Sequence, residues 1–250
     1  MKLLAPIVLL VAFASPLAAQ AAASPYFNSI QSASWHADIA ALQDLSRQLQ
    51  AAAVNNDPET VYAAALADYR LANAGMKDEK QYRYVIDAAL DRAENLLEKL
   101  SRCDTKYQAE SLALLSSVYC TKIGISPIKG PVLGIKSGSA IAQAEKLAPD
   151  NPRVQLFKGL GKLYTPAIFG GDREGAMAAF NAAIAYLPKE QFSASNWGLD
   201  DAYIWRGIAL KSAGRAAEAR ASFEQALAIA PESKWIKHLL ADTQPETENK

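Results

Sequence analysis

Among 250 residues there are only 2 cysteines and 2 histidines, and the formal net charge is zero, with 26 Lys and Arg against 26 Asp and Glu. Each scarcity excludes something. The two histidines, His36 and His238, stand at opposite ends of the chain with no His-Glu-x-x-His motif and no cysteine beside either, so no zinc site is expected. Lys and Arg are interspersed with Asp and Glu and no run of five like charges occurs, which leaves no electrostatic footprint for a nucleic acid. Two cysteines make no disulfide framework. A helix read from Lys106 through Tyr119 carries Cys120 about 21 Å along its axis, whereas Cys103 precedes its start. A bridge needs Cα atoms within about 7 Å, so Cys120 is expected as a buried thiol.

Catalytic and phosphate-binding signatures are missing too. The stretch "TPAIFGGDREGAMAAF", Thr165 to Phe180, is glycine-rich and leads into a helix. A phosphate cradle, however, needs a preceding strand and the spacing G-x-x-x-x-G-K-[ST], so that backbone N–H groups converge on the anion. Here Gly170 and Gly171 follow a helix, and an Asp172 at the N-cap would repel an anion. In "GPVLGIKS" Lys136 falls two residues after Gly134 instead of one. "SPIK", Ser126 to Lys129, fits S-x-x-K, but Pro127 disfavours the helix on which that pair belongs. Asp200 and Asp201 sit at a helix start, where capping and the helix dipole account for them. No nucleophile has a positioned base, so neither an enzyme nor a cofactor is expected.

What the chain does contain begins with a targeting segment. Lys2, the apolar run "LLAPIVLLVAFA" and the small residues of "SPLAAQA" form a signal peptide, too short in its apolar part to span a bilayer. Cleavage is expected after Ala19 or Ala21, and the cleavage region has no cysteine for a lipid anchor. The chain therefore reads as a signal peptide at 1–21, an N-terminal helical region at 22–105, repeats at 106–241 and a disordered tail at 242–250. The mature protein is expected to be exported to the periplasm without an integral membrane span, either free or peripherally attached to the outer membrane.

Internal repetition organises the rest. A shift of 43 residues places Gly171, Ala176, Phe180, Ala183, Ala185 and Pro188 on Gly214, Ala219, Phe223, Ala226, Ala228 and Pro231. Ala219, Phe223, Ala226 and Ala230 recur at helical spacing and share one face. The alanines let a paired helix approach and the phenylalanine fills the gap between neighbours. That partner helix, about Leu199 to Ala213, carries Tyr203, Gly207 and Leu210 on its packing face. Gly159 takes the corresponding close-contact position one repeat earlier. These spacings resemble the second helix of a tetratricopeptide repeat, whose period is 34 residues. Pro149 to Pro188 is 39 residues and Pro188 to Pro231 is 43, so the excess residues are read as inserted turns, "TPAIF" within one repeat and "KEQFSASNWG" between two. A more degenerate copy precedes them, with a long turn "GISPIKGPVLG" between its helices. Upstream, "DPETVYAAALADYRLANAG" and "EKQYRYVIDAALDRAENLLEKLSR" form a further pair, Asp57 capping the first and Pro58 opening it. The expected fold is all-α: a right-handed helical-hairpin solenoid of tetratricopeptide type, three to four hairpins with inserted turns.

The combination "SPIKGPVLGIKSG", "NPRVQLFKG", "YTPAIFGGDREGAMAAF" and "SNWGLDDAYIWRG" resembles a group of exported tetratricopeptide-repeat proteins of Gram-negative bacteria. The resemblance covers about Ala109 to Leu239 and implies location and fold. The insertion before a repeat's second helix is more weakly similar to the T component of tripartite transporters, a periplasmic helical-repeat protein associated with a solute-binding partner.

Two functional readings follow, of which the first is the expected one and the second its alternative. The first is a non-catalytic scaffold for a protein or peptide partner on the concave face, with Ile204, Ile208, Lys211 and Ser212 facing inward. The second is a binder of a small, partly apolar solute in a cavity under the inserted turns, accessory to a transport system. Repeat geometry places Lys129, Lys136, Thr165 and Phe169 together on one rim as a candidate patch and Trp197 on the opposite rim. Phe169 and Trp197 are alternatively tucked under the turns as satellite core. An aromatic and aliphatic lining favours the solute; a shallow, charged groove favours the scaffold.

Overall fold

The computed structural model describes residues 25–55, 57–103, 105–189 and 197–243. The expected signal peptide at 1–21, most of the inserted segment before Trp197, and the tail beyond Thr243 lie outside the described residues.

Helix starts follow from local chemistry. The side chains of Asp38, Asp57, Asp78, Asn151, Asp172 and Ser233 each accept a backbone N–H of the helix they precede, satisfying donors that a helix leaves unpaired. Pro58 and Pro152 occupy the first helical position, where the absent N–H would have had no partner. The resulting order is α1 (Pro25–Trp35), α2 (Ile39–Ala52), α3 (Pro58–Gly75), α4 (Glu79–Leu100), α5 (Gln108–Ile125), α6 (Gly130–Leu147), α7 (Pro152–Tyr164), α8 (Arg173–Tyr186), α9 (Leu199–Ser212), α10 (Ala216–Ile229) and α11 (Lys234–Ala241). No strand occurs among the described residues.

Helices α3–α4, α5–α6, α7–α8 and α9–α10 pack as four successive hairpins. They stack through α4 on α5, α5 on α7, and α8 on α9, with α2 against α3 at one end and α11 against α10 at the other. The fold is an all-helical hairpin solenoid. Two glycines set how closely paired helices approach. A Cβ on Gly159 would lie 2.5 Å from the Phe180 ring and one on Gly207 would lie 2.4 Å from the Phe223 ring. Phe180, Phe223, Ala176, Ala183, Ala219 and Ala226 are fully buried, so the last two hairpins, α7–α8 and α9–α10, are each a phenylalanine ring laid on a glycine and flanked by alanines. Gly214 turns between α9 and α10 with φ 76°. Pro188 lies in a single 3-10 turn after α8, and Pro231 follows the end of α10.

One expected turn is a helix. "GISPIKGPVLG" reads in sequence as a long loop between two helices, but α5 continues to Ile125, a single 3-10 turn covers Pro127–Lys129, and α6 starts at Gly130. Pro131 falls in the first helical turn, where proline is tolerated. Gly134 and Gly138 cost about 1 kcal/mol each in helix propensity. Packing against α5 overrides that cost: Ala140 and Ala144 are buried, and Ser137 Oγ donates to the Ser116 carbonyl at 3.1 Å. Cys120 is a half-buried free thiol beside the same Ser137, and Cys103 is exposed and free. The "TPAIF" insertion is a turn as expected, with a 3-10 turn at Ala167–Phe169 and Gly170 at φ 96°. At the other end, the sequence assigns Asp242 and Thr243 to a disordered tail. They instead close α11, and the Thr243 hydroxyl donates to the Leu240 carbonyl at 2.8 Å.

Gly207→Ala is expected to destabilise the protein by about 1–3 kcal/mol through overpacking against Phe223. Gly138→Ala, with nothing within 4 Å of the added atom, is expected to stabilise by about 0.5–1 kcal/mol. Urea denaturation of both variants measures the contrast.

Candidate functional site

The solenoid is closed on its inner side by a contact between distant parts of the chain. Trp197, just before α9, lies between two guanidiniums, Arg70 at 5.5 Å and Arg153 at 5.2 Å from its ring centroid. The Tyr62 and Phe157 rings complete its cage at 6.5 and 6.1 Å. Each guanidinium is held in turn. Arg70 Nη1 donates to Asp201 Oδ1 at 3.0 Å, and Arg153 Nη1 donates to Glu110 Oε1 at 3.2 Å, with both partners fully buried. Helix α1 then ties onto α9: Gln31 Nε2 donates to Asp200 at 2.6 Å and to Asp201 at 3.2 Å, and Trp35 Nε1 donates to Asp200 at 2.6 Å. Burial, and then the neighbouring Asp201 charge, push the Asp200 carboxyl up to about 6. Asp200 and Asp201 are therefore more than the helix-start acids expected from the sequence.

Above this floor opens a cavity of about 1890 Å³. Its walls come from the C-terminal halves of α3, α5 and α7, the glycine-bearing face of α6, the start of α9, and α11. The lining surface is mostly apolar, interrupted by polar side chains such as Gln31, Asn73, Ser116, Ser117 and Ser137. On one wall Tyr164, Trp205 and Trp235 form an edge-to-face chain, with centroids 5.8 and 5.6 Å apart and interplanar angles of 84° and 67°. The charged groups that line it are Arg70, Lys77, Lys158, Lys162 and Lys234 against Asp201 and Glu145, an excess of positive charge. Lys158 pairs with Glu145 and Lys162 with Asp172. Lys77 and Lys234 have no carboxylate in ion-pair reach among the described residues.

His36 and His238, far apart in sequence, both border this cavity, and His36 precedes Ala37, the one non-glycine residue among those described with positive φ (49°). No group of three His, Cys, Asp or Glu side chains converges as metal ligands among the described residues.

The residues singled out from the sequence divide. Thr165, Phe169 and Ile204 line the cavity. Trp197 does not sit on a rim; it is 4% exposed and belongs to the core, because two cations and two aromatic rings enclose it. Phe169 is not tucked under a turn but 76% exposed. Lys136 turns away, since Glu94 and Glu98 of α4 hold it at 3.9 and 3.5 Å and the Tyr119 ring lies beneath it. Lys129 is exposed at the start of α6. Of the four residues expected on the concave face of α9, Ile208 packs against the core, Ser212 Oγ donates to the Ala209 carbonyl, and Lys211 approaches Asp242 at 3.7 Å. Helix α11 folds over that end of the groove, so the expected inward stripe stops at Ile204. Arg206, where the repeat pattern prefers leucine, donates to Ser222 Oγ at 2.9 Å and lies over the Tyr203 ring. It joins α9 to α10.

Sequence reasoning missed Trp205, Trp235 and Lys77. A signal existed for Trp235: Lys234, Trp235 and His238 fall on one side of the amphipathic α11 at helical spacing, and all three border the cavity.

Similar architectures occur among solved structures. TTC0263, a thermophilic TPR protein of Thermus thermophilus, superposes with a TM-score of 0.57 at 20% identity over 82% of this chain and 91% of that one. The fold is of the tetratricopeptide-repeat kind. The HusA haemophore from Porphyromonas gingivalis superposes with a TM-score of 0.52 at 19% identity over 75% of this chain and 92% of that one. No protein-family model and no curated protein matches the chain.

The Asp200 carboxyl gives the floor a pH signature. The folded state keeps a proton there at pH values where the unfolded chain, with an ordinary Asp pKa of about 3.9, has released it. Stability from this group is present below about pH 4 and is lost as pH rises through about 6. Relative to the parent, Asp200→Asn is expected to gain about 1–2 kcal/mol between pH 4 and pH 7, measured by urea denaturation at both. A difference independent of pH would mean that Asp200 titrates normally.

Proposed function

We propose that the protein is a non-catalytic binder that holds a partly apolar, anionic solute in its concave cavity. The observation that carries this reading is the cavity itself, deep and lined by an aromatic chain, with two ammonium groups, Lys77 and Lys234, that no described carboxylate pairs. Apolar walls supply affinity by releasing water and a few charges fix orientation. Lys77 and Lys234 suit carboxylates or phosphates on the solute, because an unpaired ammonium binds an anion without first breaking an existing pair. The aromatic chain suits a ring system, which packs edge-to-face or offset on indoles.

A periplasmic location, expected from the signal-peptide pattern of the first residues, belongs to the same proposal. There the protein would carry such a solute between membranes or hand it to a transport system. HusA is described as a haemophore. A porphyrin, flat, apolar and bearing two carboxylates, meets the chemistry of this cavity and is the first ligand to try.

The scaffold reading keeps one specific support: the cavity exceeds the roughly 300–1,000 Å³ of drug-sized sites, which leaves room for a peptide. The aromatic chain and the two lysines without a described carboxylate favour the solute, while the polar side chains that also line the cavity, Gln31, Asn73, Ser116 and Ser117 among them, could serve a peptide's amides.

Native mass spectrometry of the protein purified from its own compartment tests the proposal. A mass of a few hundred daltons that is lost on denaturation is expected; a bare monomer, or a complex with another polypeptide, returns the choice to the scaffold. In titrations followed by tryptophan quenching, with protoporphyrin IX and a long-chain fatty acid as probes, Lys234→Ala is expected to weaken binding about tenfold, or about 1.4 kcal/mol. Added salt should reduce that loss.

A further inference from the structure

Beside the cavity mouth the surface is unusually apolar. Ile128, Ile135 and Ile168 are 88%, 77% and 85% exposed, and Phe169 and Val132 are 76% and 63% exposed. Monomeric soluble proteins seldom leave so many large apolar side chains in water at one place. Two adjacent elements present them. Val132 and Ile135, three residues apart, share one side of the first turns of α6, and Ile128 lies in the 3-10 turn immediately before it. Ile168 and Phe169 project from the 3-10 turn between α7 and α8. Turns joining the two helices of successive hairpins lie on the same edge of a solenoid, and Ile135 and Phe169 both border the one cavity. The five side chains thus form a lip on its entrance.

We propose that this lip docks the protein on an anionic lipid bilayer, holding the cavity mouth at the headgroup level. Charge selects the membrane over a second copy of the chain or a protein partner. Between Ser126 and Ala144 there is no acidic residue, and between Leu163 and Gly171 there is no charge at all. Lys129, within the lip, and Lys77 and Lys234, on the cavity, have no carboxylate in ion-pair reach among the described residues. Exposed apolar side chains among unneutralised lysines are the pattern of an interfacial anchor, in which apolar groups enter between headgroups and ammonium groups meet lipid phosphates. Two of these lysines serve both the mouth and its cavity. A second copy would bring its own Lys129 to the same place and repel. The shape agrees: the side chains stand out from two turns, so they can insert into a fluid surface without a complementary groove.

The purpose leans on the solute-binding reading, since a solute with large apolar surface resides in membranes and must be taken from one. The test does not depend on it. The mature protein is floated with phosphatidylcholine vesicles and with vesicles that also contain phosphatidylglycerol. The expected result is binding to the anionic vesicles only, weakened by salt, and reduced at least tenfold in Ile128→Asp/Ile168→Asp. Both positions are exposed and outside the cavity lining, so the double variant is expected to keep the parent's melting temperature and its protoporphyrin affinity in solution. If the double variant floats as the parent does, or if neither vesicle binds, the proposal is overturned. It is also overturned if light scattering finds a dimer that the double variant abolishes, because a second copy then covers the lip. Loss of vesicle binding with intact porphyrin affinity supports the lip whatever the natural solute is. Absent porphyrin affinity with intact vesicle binding leaves the lip standing and removes only porphyrin as the cavity's occupant.

Discussion

The structure depends on one indole placed between two guanidiniums. Trp197 is where the third and fourth hairpins, α7–α8 and α9–α10, meet the first: Arg70 reaches it from α3, Arg153 from α7, and the rings of Tyr62 and Phe157 pack around it. A buried cation is destabilising unless it is paired and hydrogen-bonded, and here each has its carboxylate, Asp201 for Arg70 and Glu110 for Arg153. Those carboxylates fix the geometry further. Glu110 also accepts from Asn151, which caps α7, and Asp201 with its neighbour Asp200 draws α1 onto α9.

That closure turns a curved repeat into a container. Hairpins that touch only their neighbours leave an open concave face. Once α1 is tied to the start of α9, the inner end of the groove is floored by paired buried charges, Arg70 with Asp201 and Arg153 with Glu110, although Arg70 Nε, Glu110 Oε2 and Trp197 Nε1 have no hydrogen-bond partner among the described residues. The cavity above is left with walls whose surface is mostly apolar. The separation is useful chemically: the buried charges neutralise one another in the floor, while Lys77 and Lys234 near the opening remain available. The same division explains α6. Its Gly130, Gly134 and Gly138 border the cavity and add no side-chain bulk there, while Lys136 leans on the acids of α4.

Legibility differed sharply between the repeat and the site. Phe180 on Gly159 and Phe223 on Gly207 were readable because their helices are consecutive, and a contact over one hairpin leaves its period in the sequence. Asp57, Asp172 and Pro58 were readable because capping is local. The helix α6 was not, because Pro127, Gly130, Pro131 and Gly134 signal a loop in isolation and only the face of α5 reverses that preference. The inward stripe on α9 was misread beyond Ile204 because α11, short and outside the repeat register, folds over its end.

The sequence by itself determined the secondary structure of most of the chain, the pairing of helices into hairpins and the order of their stacking, since each rests on interactions within about one repeat of sequence. Only the tertiary structure decided what the concave face contains. Trp35 and Asp200 are 165 residues apart and meet at 2.6 Å; Trp205 and Trp235 become one wall; Lys136 is neutralised by the acids of α4, whereas no described carboxylate reaches Lys77 or Lys234. None of these follows from periodicity, because each depends on the curvature that four stacked hairpins accumulate, and that curvature brings together residues no local pattern connects.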